Sequence, residues 1–334
     1  MEEEVACAGF FKATADGALS CLDAFQASGW VQFFIGNLIE AIYNLGYLLS
    51  HPGVWLSWVP YINGQMPDAE IKEALARFIY YGASVELFFV ALLIFLIFTI
   101  IGLIRNRFMW GCVRVLEGFA NRVGRFFAWA GLLMVLQQIV IIFMQRVFAV
   151  SEISVGFGVS FTRDLSWWSE ELKLYNAMIV CLCATYTFVQ GGHVRVDLVY
   201  SAVSYRTKKT IDMIGALLFM VPAAILVWLY GWFFLWRHLV VPNPSASDSL
   251  ERLVTKARAL RWNVETIGFS PNGFDAYFLF KLLLVSFTAM VLLQAVAFFY
   301  RSYLELKEGP KSDGKYLDKD KIGDATAELV ADIH

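Results

Sequence analysis

Charge is scarce in this chain. Of its 334 residues only 17% are Asp, Glu, Lys or Arg, while 58% are hydrophobic and 16% aromatic. A soluble domain carries about 25% charged residues, so the deficit points to a bilayer as the main solvent. Histidine is scarcer still. His51, His193, His238 and His334 are spread over separate loops and the tail, so neither a metal site nor a cofactor is expected. Five cysteines (Cys7, Cys21, Cys112, Cys181 and Cys183) are odd in number and scattered, two of them inside an apolar run, which is no disulfide framework. A net charge of −2 gives no reason to expect nucleic acid as a partner. The opening MEEEVACAGF lacks a basic n-region, so a cleaved secretory signal is not expected. Proline is nearly absent from the apolar runs, Pro222 being the only one well inside, and no internal repeat is evident. Carriers with a midplane site tend to show repeats and interrupted half-helices. The chain therefore reads as a scaffold that binds a transport machine, and an enzyme is not expected.

What the chain has is long apolar runs. The fold class predicted is all-α, a polytopic membrane protein with about six transmembrane helices plus interfacial amphipathic helices. Trp30–Ser50 is the first run, interrupted by Asn37, Glu40 and Asn44, whose spacings of three and four put them on one helical face. Phe78–Ile104 is the second, with Glu86 its single charge. In 105–125 the residues Arg107, Arg114, Asn121 and Arg125 oppose Trp110, Val113, Leu116, Phe119 and Val123, as in an amphipathic helix lying against membrane lipids; a loop with incidental periodicity is the alternative. Phe126–Val150 follows, and a glycine-bearing loop leads to the fourth span. That span opens on Trp167-Trp168-Ser169-Glu170-Glu171 and closes on Gly191-Gly192-His193-Val194-Arg195-Val196-Asp197. Ile211–Trp236 and Tyr277–Tyr300 are the fifth and sixth. The organisation expected is a tail over 1–29, two spans over 30–104, the interfacial helix over 105–125, a four-helix domain over 126–303 with an outer loop at 237–276, and a flexible cytoplasmic tail over 304–334.

Basic residues set the orientation. With the N-terminus cytoplasmic, the inner segments hold sixteen Lys and Arg and the outer ones eight, so both termini are expected in the cytoplasm. Glu170 and Glu171 at the head of the fourth span admit a structural role, favoured by the helix dipole, or a docking point for a basic partner. Gly191 and Gly192 end a helix naturally. His193 and Asp197 are four apart and have no third ligand nearby, so Gly191–Asp197 is expected to be a helix stop at the inner interface. Glu40 and Glu86 are intramembrane charges, functional candidates by default, with a facing helix or another subunit as the bland partner.

Trp168-Ser169-Glu170-Glu171, then Gly191-Gly192-His193-Val194-Arg195-Val196-Asp197, then Ser270-Pro271-Asn272-Gly273, Lys281-Leu282-Leu283-Leu284 and Leu292-Leu293-Gln294 occur in that order. Over 121–303 this pattern resembles the small membrane subunit (DctQ type) of the tripartite ATP-independent periplasmic (TRAP) transporters. The resemblance implies a multi-pass protein of the bacterial inner membrane and an accessory scaffold without a substrate site of its own. It implies a large permease subunit (DctM type) and a periplasmic substrate-binding protein as partners, in sodium-driven uptake of an organic acid anion. Trp168, Glu170, Glu171, Gly191, Gly192, His193, Arg195, Asp197, Lys281 and Gln294 become candidates for subunit contacts or structural roles. Two features depart from the compact members: two extra N-terminal spans, which leave Glu40 and Glu86 no family role, and a longer loop between spans five and six. The rival readings are a self-sufficient carrier or channel, and a membrane enzyme using His193 and Asp197.

Overall fold

A computed structural model describes residues 20–62, 68–156, 160–190, 203–256, 259–261 and 272–318. Helices dominate, as backbone polar groups in a bilayer require. The chain divides into two compact units, 1–101 with 240–260, and 102–239 with 261–334.

The first unit holds α1 (Cys21–Ala27), α2 (Trp30–Ser50), α3 (Gly53–Leu56), α4 (Ala69–Tyr81) and α5 (Val85–Ile104), the last continuing just past the unit's edge. A capping box starts α1: Ser20 Oγ accepts from the Asp23 amide at 3.0 Å, and Asp23 accepts from the Ser20 amide at 3.3 Å. Ala41 of α2 packs with Phe89, Val90 and Leu93 of α5. On α4, Ala74, Leu75, Ala76 and Ile79 are buried, and this helix packs against α3 and against α11 (Leu250–Lys256). The lobe carrying α11 closes at its base by pairing β3 (Val240–Val241) antiparallel to β4 (Ala259–Leu260). Inside it the Asp248 carboxylate accepts from the Ser245 amide and from Lys256 Nζ, each at 2.8 Å. The Lys256 bond, then the Ser245 amide, hold that carboxyl below its ordinary value.

The second unit holds α6 (Asn106–Arg146), a hairpin of β1 (Glu152–Gly156) and β2 (Ser160–Asp164), α7 (Leu165–Leu182), α8 (Ala184–Gln190), α9 (Tyr205–Gly215), α10 (Val221–Leu239) and α12 (Phe278–Glu308). A π-helical turn at Ala216–Met220 joins α9 to α10. Helix α12 packs against α6, α7, α8, α9 and α10.

Four described helices are long and apolar enough to cross a membrane: α5, α6, α9–α10 and α12; the α7–α8 pair, bent by 41°, makes a fifth if it is one span. Helix α2 has its predicted bounds but, diluted by Gln32, Asn37, Glu40 and Asn44, is not among them. The protein is an all-α polytopic membrane protein.

Three expectations change in detail. The interfacial helix predicted at 105–125 is not a separate element: it runs unbroken into the next span, because no proline or turn separates them. At about 1.5 Å per residue this 41-residue helix is far longer than a hydrocarbon core of about 30 Å. Its buried face is Met109, Trp110, Val113, Glu117, Ala120, Asn121 and Gly124. Asn121, assigned to the lipid-facing side, is therefore buried, and Phe119, assigned to the apolar stripe, is 47% exposed. The tail expected to be flexible from 304 is ordered as far as Asp318: α12 continues to Glu308, and 309–318 fold back onto the helices. The glycine-bearing loop is a β-hairpin, pairing Ile153 with Arg163 and Ser154 with Thr162.

Candidate subunit-interface site

Two clusters of charge stand out among the described residues of the second unit. One is the head of α7. Helix α7 starts at Leu165, so Glu170 and Glu171 lie in its second turn, and Ser169 donates to the Leu165 carbonyl (2.9 Å). Glu170 accepts the Phe274 amide at 2.8 Å. Glu171 accepts from Gln137 Nε2 of α6 at 3.0 Å, and the same nitrogen donates to the Trp168 carbonyl at 3.2 Å. Gln137, a polar group otherwise stranded in an apolar helix, thus adds hydrogen bonds between α6 and the head of α7.

Trp167 Nε1 donates to Asp275 at 3.0 Å, and Arg163 pairs with the same carboxylate at 3.4 Å. The Arg163 guanidinium also lies over the Phe161 and Trp167 rings, at 5.2 and 5.8 Å. Trp167, Leu174, Leu182, Phe274 and Leu283 form the core beneath. The Trp168 indole Nε1 is buried with no hydrogen-bond partner among the described residues. Trp168, Glu170 and Glu171 are therefore brought together with Gln137, Phe274 and Asp275 in one aromatic, acidic corner. Lys281 lies 2.8 Å from His238 and over the Tyr277 ring at 5.3 Å.

Gln294 is elsewhere, on α12 and 1% exposed, with neither amide atom partnered among the described residues. Glu40 and Glu86 belong to the first unit: Glu40 accepts from Gln26 at 2.9 Å, and Glu86 is half-buried at the start of α5. Gly191, Gly192, His193, Arg195 and Asp197 lie outside the described residues.

The second place was missed from sequence. Arg301 of α12 is buried and donates through Nε to Glu117 of α6 at 2.6 Å and through Nη2 to the other oxygen of that carboxylate at 2.5 Å. Its Nη1 donates to Glu305 (3.3 Å) and to the Lys315 carbonyl (3.0 Å). Lys209 of α9 bridges Glu305 at 2.6 Å and Asp313 at 2.8 Å. The Trp110 ring lies 5.6 Å from both the Arg301 guanidinium and Lys315 Nζ, and its indole donates to Glu308 at 2.9 Å. Further along, Asp318 accepts from Arg125 at 3.0 Å and from Asn121 at 3.1 Å, while its carbonyl accepts from Gln190 at 3.0 Å. Arg125, then Asn121, hold the Asp318 carboxyl below its ordinary value. A bidentate, buried Arg–carboxylate pair has strict geometry. That pair joins α6 to α12, Lys209 adds α9, and the tail is the strap over this clamp. The sequence signal was a lone Glu117 among arginines and an Arg301/Glu305 pair one turn apart; nothing local pairs partners 184 residues apart.

Residues 153–305 match the model of the DctQ component of tripartite ATP-independent periplasmic transporters. This part of the chain is a DctQ domain. The match covers a little under half of the chain, and the family is one of transporter components, not of enzymes. The match opens on β1 and ends on Glu305, so Arg301 lies inside it and Glu117, on α6, outside it. Comparison with curated proteins and with solved structures gave no match.

Proposed function

We propose that this DctQ-type protein is the fixed scaffold of a sodium-driven, binding-protein-dependent importer of an organic acid anion. It supports a large DctM-type permease subunit in a bacterial inner membrane, and a periplasmic substrate-binding protein delivers the substrate. The observation that carries this reading, beside the family match, is the clamp. Arg301 ties Glu117, Glu305 and the Lys315 carbonyl together, so three helix ends and the tail hold one arrangement. Breaking such a buried pair costs about 3–5 kcal/mol, which suits a part that stays still while its partner moves. The acidic, aromatic corner of Trp168, Glu170, Glu171 and Asp275 is the surface assigned to subunit contact, and Lys281, Gln294 and Gly191–Asp197 to structural roles.

The test is purification and reconstitution. The protein should co-purify in mild detergent with a much larger multi-span protein. Uptake into liposomes should need both membrane subunits, the binding protein and a sodium gradient. Solute movement by this chain alone would instead make it a self-sufficient carrier or channel.

A further inference from the structure

The first unit carries features that bear on how often the chain crosses the membrane. Counting α7–α8 as one span, five helices qualify: α5, α6, α7–α8, α9–α10 and α12. Five crossings put whatever precedes α5 and whatever follows α12 on opposite faces. Termini on the same face need a sixth crossing, and α2 is the one candidate among the described helices with the length for it.

The contacts of α2 oppose that. If α2 and α5 formed a hairpin of two spans joined through residues 51–84, the start of α2 would meet the end of α5. Instead Phe33 and Phe34, at the start of α2, meet Phe89 one turn into α5, with ring centroids 6.1 and 5.4 Å apart. Ala41, midway along α2, packs on Phe89, Val90 and Leu93. Tyr81, just ahead of α5, lies within electrostatic range of both Glu86 and Glu40. The first half of α2 thus sits at the level where α5 begins. A crossing from there would deliver residue 51 to the far face, and residues 51–84 would have to return. The longest helix in that stretch, α4, has 13 residues, Glu70, Lys72, Glu73 and Arg77 among them. At about 1.5 Å per residue it is too short for a core of about 30 Å.

Four further observations agree. Helix α4 packs against α11, whose lobe leaves the membrane four crossings after α5 begins, and hence on the same face. Cys21 is disulfide-bonded, which belongs on an oxidising face and not in cytoplasm. Residues 1–84 hold three basic residues (Lys12, Lys72, Arg77) against nine acidic ones, so little retains them inside. Moving them outward transfers only Lys12: inner Lys and Arg go from sixteen to fifteen and outer from eight to nine, so the bias that orients the rest survives. Helix α2 itself is two-sided. Asn37 and Ala41 are buried and Glu40 is bonded to α1, while Trp30, Ile42 and Leu49 are 84, 62 and 71% exposed. That is the make-up of a helix lying in an interface.

We infer that the chain crosses the membrane five times, with residues 20–84 and the 240–260 lobe together on the face opposite the C-terminal tail, and with α2 lying in that face. The two departures from the compact family pattern, extension and long loop, are then one exterior module. Naming that side periplasmic rests on the proposed function; the opposition of the two ends does not.

Single cysteines placed in the full chain test it: Ala27→Cys at the end of α1, Gly53→Cys, and Lys311→Cys in the tail. Intact spheroplasts and permeabilised ones are treated with a membrane-impermeant maleimide, and labelled positions are read by mass spectrometry. Residues 27 and 53 should label in intact spheroplasts, and residue 311 only after permeabilisation. Residue 27 labelling only after permeabilisation, together with 311, would overturn the inference and restore six crossings. If Ala27→Cys fails to accumulate, an N-terminal epitope decides the same point, by antibody binding to intact spheroplasts or its absence. Neither readout depends on transport, so the topology and the transporter reading fail separately.

Discussion

Glu117 and Arg301 show how a residue can be plain in sequence and still hide its role. Each stands in the charged stretch of a helix that is otherwise apolar, where the bland expectation is a solvated or headgroup-facing side chain. Their pairing is a tertiary fact. Glu117→Leu or Arg301→Leu alone should destabilise the protein by about 3–5 kcal/mol, because each leaves a buried charge uncompensated. The double Leu variant should lose less than the sum of the two, which thermal unfolding in detergent would measure. Asp318 gives the tail a pH dependence of known sign. Its carboxyl is held below the ordinary 3.8, so the strap's bonds to Arg125 and Asn121 are fully present above that value. They are lost as the pH falls through the lowered one. Asp318→Asn should make the tail more open to proteolysis at neutral pH while leaving the clamp intact.

At the scale of elements, the apolar runs announced the helices, and α2 starts and stops where its sequence says. Helix ends and continuations were less legible. The arginine-bearing stretch after α5 has the periodicity of an interfacial helix, yet nothing in it stops the helix, and its polar face finds α12 and the tail in place of headgroups. Crossing helices also need close approach. A Cβ on Gly124 of α6 would overlap the Tyr186 Cβ of α8, and the Gly124 carbonyl accepts Cys183 Sγ at 3.3 Å beside the α7–α8 bend. Gly124→Ala should therefore push these helices apart and cost about 1–3 kcal/mol, seen as a lower melting temperature. Gly118→Ala on the same helix has open space around it and should be neutral or slightly stabilising.

For the whole molecule, the division into units cuts across the sequence. The lobe at 240–260 lies inside the DctQ match yet packs with the N-terminal extension through α11 and α4. Leu75→Asp on α4 should raise amide exchange across 250–256 and leave α7 and α12 unchanged; the milder Leu75→Ala should show the same pattern weakly. Composition and apolar periodicity by themselves determined that this is a helical membrane protein. The order of short motifs by itself pointed to the DctQ type, because bilayer insertion and motif spacing are properties of a continuous stretch of chain. Only the tertiary structure decided that Arg301 meets Glu117, that the tail is a strap as far as Asp318, that Glu170 holds the Phe274 amide, and that α2 starts beside the start of α5. These depend on which distant segments meet. A charge or an amide carries no address for its partner until helices far apart in sequence are packed side by side.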